Sequence, residues 1–105
     1  MGLFGFSKGK GIDEYAAEAA ERGITLVDVR EPKEFARGHI PDAINMPLSS
    51  LEQAARTIAD KDTPLYVYCL SGGRSSRATK MLAQMGLSNV TNIGGINLYR
   101  GPIEK

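Results

Sequence analysis

At 105 residues the chain has room for one domain with a single modest core. Apolar residues at 42% and charged residues at 24% exclude a disordered chain. A net charge of +1, from thirteen basic and twelve acidic side chains, gives no basic excess to hold nucleic acid and no acidic tail. A single Cys excludes an internal disulfide, a Cys-x-x-Cys redox pair and a thiolate-rich zinc or iron–sulfur centre, and nothing in the sequence implies a metal or an organic cofactor.

Residues 1–11, with Gly2, Gly5, Gly9 and Gly11 around Leu3, Phe4 and Phe6, read as a loose lead-in with room for a short first strand; residues 12–105 read as one domain. The apolar stretch of the lead-in is too short for a secretory signal, Phe6 breaks the myristoylation pattern, and no run reaches membrane-span length. A cytoplasmic protein that binds neither membrane nor nucleic acid is expected. Ile12, Tyr15, Ala16, Ala19 and Ala20 share one helix face, with Asp13 as N-cap and Gly23 beyond the end. Ile24–Val29 is a β-branched apolar run suited to a strand buried on both faces. Glu31–Gly38 is a short helix with Pro32 in its first turn, and Ile40–Pro47 is loop with a brief strand at Ala43–Asn45. Ser50 and Gln53 form a capping-box pattern, continued on one face by Leu51, Ala54, Ala55 and Ile58. After a turn at Asp62–Pro64, Leu65–Cys69 is a second buried strand. Ala78, Met81, Leu82 and Met85 mark a helix from about Arg74 to Gly86, and Val90–Ile93 is a last strand before Gly94-Gly95. Alternating helices and apolar strands imply an α/β domain, its mainly parallel sheet covered on both faces.

The strongest chemical signal follows the second of these strands. Cys69 sits where a strand runs out, and open α/β sheets bind ligands beyond the carboxyl ends of their strands. Leu70, Ser71, Gly72 and Gly73 make a tight loop whose N–H groups can converge on one point, and the next helix adds its own free N–H groups and dipole. A Cys sulfur there is expected to be a thiolate at neutral pH. Arg74 and Arg77 in the first turn oppose the helix dipole, which asks for compensating anions: the thiolate, a bound oxyanion, or both. Ser71, Ser75 and Ser76 add hydroxyl donors. A Cys ending a buried strand also reads as a small apolar filler, but a filler needs neither the glycines nor the arginines. A nucleotide P-loop is excluded because no Gly-Lys-Ser/Thr follows a strand. Cys-based phosphatases and arsenate reductases carry Cys-x5-Arg, whereas Arg74 follows Cys69 after four residues.

Cys69-Leu70-Ser71-Gly72-Gly73-Arg74-Ser75 resembles the active-site loop of the rhodanese (sulfurtransferase) family. Three further stretches agree in order: Leu26–Glu31 with Glu34-Phe35, Gly38–Pro47, and Gly94-Gly95-Ile96 through Tyr99 with Gly101-Pro102. The resemblance spans about residues 12–102. It implies a rhodanese-like fold with about five, mainly parallel strands and helices on both faces. It also implies that Cys69 takes a sulfane sulfur, from thiosulfate or a persulfide, and becomes a persulfide. That persulfide then passes its sulfur to cyanide in the assay, or to a small thiol or a protein Cys, by two-step covalent catalysis. The loop N–H groups of residues 70–74 would hold the extra sulfur, with Arg74 as stabiliser and Ser71 and Ser75 as accessories. Asp42 stands where the family has Gly, and Asp tolerates a left-handed turn. Leu70 stands where many members carry a cation, which removes a partner for an anionic donor.

Asp28, inside a buried run, requires a pairing partner and reads as structural. Arg30 fits either an ion pair or a contact at the pocket mouth, and Arg77 stands with it as a pocket-mouth or structural residue. His39 reads as a hydrogen-bonded scaffold residue rather than a base. The rival functions are a non-catalytic rhodanese-like binding module and a Cys-based phosphatase or arsenate reductase. The balanced charge and the absence of a coiled-coil pattern lead us to expect a monomer.

Overall fold

Alternation of side-chain direction along two central strands decides how this chain folds. In the computed structural model, which describes residues 10–105, these are β1 (Thr25–Asp28) and β3 (Leu65–Cys69). Val27, Val29, Leu65, Val67 and Cys69 point to one side, and Leu26, Tyr68 and Ile93 to the other, so each face builds its own apolar cluster. Helices α3 (Leu51–Ala55) and α4 (Gly73–Gln84) cover the first face with Leu51, Ala55, Ala78 and Leu82. Helix α1 (Ile12–Arg22) covers the second with Ile12, Ala16 and Ala19. Helix α2 (Pro32–Arg37), strand β2 (Ile44–Asn45) and strand β4 (Val90–Gly95) complete the named helices and strands, and Phe35 of α2 also packs on the second face.

The described residues form a four-stranded sheet in the order β2-β1-β3-β4, with every neighbouring pair parallel. The architecture is the expected α/β one, a parallel sheet with helices on both faces, but the strand count of about five is corrected to four among these residues. The place allowed for a short first strand, in the lead-in, lies outside the described residues up to position 9. No helix of the described residues is long and apolar enough to cross a membrane.

Three local expectations shift. Gly11, not Asp13, caps α1: its N–H donates to Glu14 Oε1 at 3.3 Å and its carbonyl accepts from Glu14 N at 3.1 Å. Asp13 instead accepts the Arg100 N–H at 2.8 Å, pinning the C-terminal turn to the helix. The Ser50 capping box does not form, because the helix is entered through a 3-10 turn at Leu48–Ser50, where Pro47 O already takes the Ser50 N–H and Leu48 O the Leu51 N–H. Helix α3 then ends at Ala55, and Ile58 packs on the core from beyond it. The other punctuation agrees: Gly23 closes α1 at φ 69°, Pro32 opens α2, and Asp42 takes the left-handed turn at φ 70°.

Strand β4 carries the irregularity that matters most. Val67 pairs with Asn92 but Tyr68 pairs with Gly94, so β4 spends one extra residue, Ile93, at this point. Gly94, at φ 106°, supplies the left-handed backbone of this bulge.

Candidate active site

Cys69 ends β3 on the face covered by α4, and only 1% of its surface is exposed. The chain then turns through Leu70, Ser71 and Gly72, with Gly72 at φ 105°, and enters α4 at Gly73. That left-handed residue aims its N–H back at the sulfur, donating to Sγ at 3.0 Å. The Ser75 hydroxyl lies 3.4 Å from Sγ. Burial by itself would push the thiol up. The Ser75 side chain, with the backbone N–H groups of Ser75, Gly72 and Ser71, outweighs burial and sets Cys69 below the ordinary thiol value. No base is needed at such a sulfur, since the loop and the helix N-terminus favour the anion directly.

The loop is clamped from β4. Leu70 O accepts the Asn97 N–H at 3.1 Å, and Gly95 runs directly beneath. Asn92, turned by the bulge, accepts the Ser75 hydroxyl at 2.8 Å and the Gly94 N–H at 3.0 Å. Its amide donates to Gly72 O at 3.4 Å. Sequence reasoning did not single out Asn92, and it quoted Gly95 only within the Gly94-Gly95 signature stretch, with no role at the loop. The available signal was an Asn inside a strand, where this residue type is depleted, two residues before a glycine pair.

The three arginines find different surroundings. Arg74 is half-buried and clasps Glu34 of α2 with two hydrogen bonds, of 2.8 and 3.1 Å. The anion that compensates its place in the first turn is therefore a side chain of the protein. Arg74 in turn holds the Glu34 carboxyl down to about 2 against partial burial. Arg77 is exposed and makes no ion pair among the described residues. Arg30 turns back on the scaffold: its guanidinium bonds Asp28 at 2.7 and 3.1 Å and Gly38 O at 2.7 Å, and both partners of the ion pair are buried. Asp28 also accepts the Arg30 N–H at 2.9 Å. The pair closes on itself away from the sulfur, on the Tyr68 side of the sheet. His39 stacks on Phe35 at 3.7 Å, sets Nδ1 against the Phe35 carbonyl at 2.9 Å and pairs its backbone with Glu104. It supports the second signature stretch and is no part of the Cys69 site. Leu70 and Leu98 are both strongly exposed, at 45% and 70%. Leu70 stands in the loop itself and Leu98 in the turn whose Asn97 holds it.

Among the described residues no cluster of His, Cys, Asp and Glu could hold a metal. The chemistry available to the site is that of one sulfur whose anion is favoured by the donors around it.

The model of the rhodanese-like domain matches residues 12–101. An uncharacterised protein YqhL of Bacillus subtilis is 41% identical over 90% of this chain and 75% of its own length. The thiosulfate sulfurtransferase GlpE of Pseudomonas syringae is 40% identical over 83% of this chain and 82% of its own. Among solved structures, an Escherichia coli rhodanese with bound anions superposes with a TM-score of 0.69 at 35% identity, over 77% of this chain and 96% of that one. A rhodanese-like domain from Anabaena reaches 0.81 at 26% identity, over 94% of this chain and 80% of that one. Fold, loop and relatives agree, and this chain belongs to the rhodanese-like domain family.

Proposed function

We propose that this protein is a sulfurtransferase in which Cys69 carries the sulfur as a persulfide. The observation that supports it most is the Cys69 sulfur itself: nearly buried, set at a strand's carboxyl end, 3.0 Å from the Gly72 N–H and facing the start of α4. Several of its relatives are named thiosulfate sulfurtransferase, which supports the same reading.

In the first half-reaction the Cys69 thiolate attacks the outer sulfur of thiosulfate or of a small persulfide. The S–S bond of the donor breaks, its electron pair leaves with sulfite or a thiolate, and a Cys69 persulfide anion remains. In the second, a nucleophilic acceptor attacks the terminal sulfur, the new S–S bond breaks, and the Cys69 thiolate is regenerated. Cyanide becomes thiocyanate in this way, and a small thiol or a protein Cys becomes a persulfide. No external oxidant or reductant enters, and the two steps predict ping-pong kinetics. The loop N–H groups of residues 70–74 receive the terminal sulfur's charge as an oxyanion hole receives oxygen. Leu70 exposes apolar surface in the loop itself, and Arg74 is engaged by Glu34. Uncharged or weakly charged persulfides therefore fit the entrance better than a dianion does.

Incubation with thiosulfate followed by intact mass measurement tests this, beside Cys69→Ser. A gain of one sulfur atom on the parent only, lost on adding cyanide, is the expected result. If thiosulfate, polysulfide and glutathione persulfide all leave the mass unchanged, the sulfurtransferase reading fails and a binding module replaces it. Hydrolysis of a small aryl phosphate, abolished in Cys69→Ser, would instead move the site to phosphatase chemistry.

A further inference from the structure

The Ser75 hydroxyl has one proton and three acceptors around it: Asn92 Oδ1 at 2.8 Å, Gly72 O at 3.1 Å and Cys69 Sγ at 3.4 Å. Ser75 is fully buried, so water does not settle the competition. When Cys69 is a thiol, its S–H can donate to Ser75 Oγ while the Ser75 proton goes to the nearer Asn92 oxygen. When Cys69 is an anion, the Ser75 proton can turn onto the sulfur and join the Gly72 N–H there. Asn92 can give that proton up without being left bare, because its Oδ1 keeps the Gly94 N–H at 3.0 Å. Gly72 O likewise keeps the Ser76 N–H at 3.0 Å and the Asn92 amide at 3.4 Å. A neutral amide oxygen with a second donor already in place is an acceptor that can give up one hydrogen bond at little cost.

We propose that Asn92 is a positioning residue for the sulfur chemistry, acting through Ser75: it holds the hydroxyl proton while Cys69 is a thiol and yields it to the sulfur when the anion forms. The bulge in β4 is the device that brings Asn92 to this place, as bulges beside active sites do when they re-aim a side chain. The proposal rests on the reading that the Cys69 anion is the working nucleophile. The charged groups around the sulfur are few. Arg74 of α4 acts on it, with Glu34 of α2 behind Arg74. The Asp28–Arg30 pair of β1 is closed on itself, and β4 contributes no charged side chain.

The test is the pH dependence of Cys69 alkylation by iodoacetamide in the full chain. Asn92→Asp and Asn92→Ala are each made in the parent and in a Ser75→Ala background, forming a double-mutant cycle. Aspartate is acceptor-only and does not release the proton, so Asn92→Asp should raise the inflection by about one pH unit or more, the scale of a neighbouring charge or hydrogen bond. With Ser75→Ala already in place, the same change should shift it by less than half as much, because only direct charge repulsion remains. Asn92→Ala removes the competing acceptor and should lower the inflection. An equal Asn92→Asp shift in both backgrounds overturns the proposal, and so does an inflection that rises in Asn92→Ala, which would mark a merely structural clip. Sulfur uptake by the parent, followed by mass, is scored separately. A parent that loads no sulfur yet shows the full alkylation pattern refutes the sulfurtransferase reading while sustaining the role of Asn92.

Discussion

Gly95 has no room for a side chain. A Cβ there would stand 2.3 Å from Leu70 O and 2.5 Å from the Ser71 Cα, both backbone atoms of the loop that surrounds the sulfur. Gly95→Ala should therefore move the loop rather than a flexible neighbour. Misplacement of this size commonly costs on the order of a hundredfold in rate. We expect thiosulfate-to-cyanide transfer to fall by at least tenfold, with the far-ultraviolet dichroism unchanged; parental turnover would show that the loop can yield. The residues legible in the sequence were those whose type breaks a local pattern: a Cys closing an apolar run, paired glycines, arginines against a helix dipole. The roles of Asn92 and Glu34 were not, since they reach Ser75 and Arg74 across 17 and 40 residues of chain. Their roles depend on a bulge and on helix packing, neither of which a single segment encodes. Arg30 was legible only as two alternatives, because the length of its side chain lets it serve the mouth or turn back on Asp28, and the buried carboxylate decides it.

Elements are held to one another at few polar points, and the Asp28–Arg30 pair is the most buried of them. It joins the end of β1 to the carbonyl of Gly38 beyond α2, while Asn45 of β2 donates to the carbonyls of both Asp28 and Arg30 at 2.9 Å. Removing one partner would leave the other charge buried and alone. Asp28→Ala is expected to cost about 3–5 kcal/mol in urea unfolding, whereas Asp28→Ala with Arg30→Met should recover part of that loss. A double variant no more stable than the single one would mean that the pair contributes more than mutual neutralisation. Helix and strand positions were largely readable from periodicity. The misreadings fell at the start of α1 and α3, where backbone donors were satisfied by a glycine carbonyl or a 3-10 turn rather than by the nearest capping side chain.

Across the molecule as a whole, two acidic side chains fasten helices to distant elements. Glu18 of α1 accepts from Tyr66 of β3 at 2.5 Å, and Glu34 of α2 from Arg74 of α4. The Tyr66 hydroxyl foremost, with Lys10, holds Glu18 down to about 2, and Arg74 does the same for Glu34. Both folded values lie below the ordinary 4.5, so the stability they lend is complete above that value and is lost as pH falls towards about 2. Tyr66 runs the other way: Glu18 raises it to about 12, so its share is complete below the ordinary 10.0 and fades as pH rises through 12. Both carboxylates are partly exposed, so the effect on thermal midpoint should be small. Thermal unfolding followed across the acid range should show a shallower acid limb for Tyr66→Phe with Glu34→Gln than for the parent. Identical limbs would place acid sensitivity elsewhere.

The sheet's two ends answer to different demands. Cys69, the loop after it, Gly94 and Gly95 all sit at the carboxyl ends of parallel strands. The connections that enter β3 and β4, residues 56–64 and 85–89, lie at the opposite edge. There they brace each other through the Ser88 N–H on Lys61 O and the Leu65 N–H on Asn89 O, both at 2.9 Å. Five strand residues separate that edge from the sulfur, about 16 Å at strand spacing. Added length between Asp60 and Pro64 would thus accumulate on the far side from the chemistry. A single residue inserted within β4 would reverse the facing of every side chain beyond it and carry the loop's clasp to the wrong surface. The protein is open to grafting at one pole and intolerant of a one-residue change in spacing at the other.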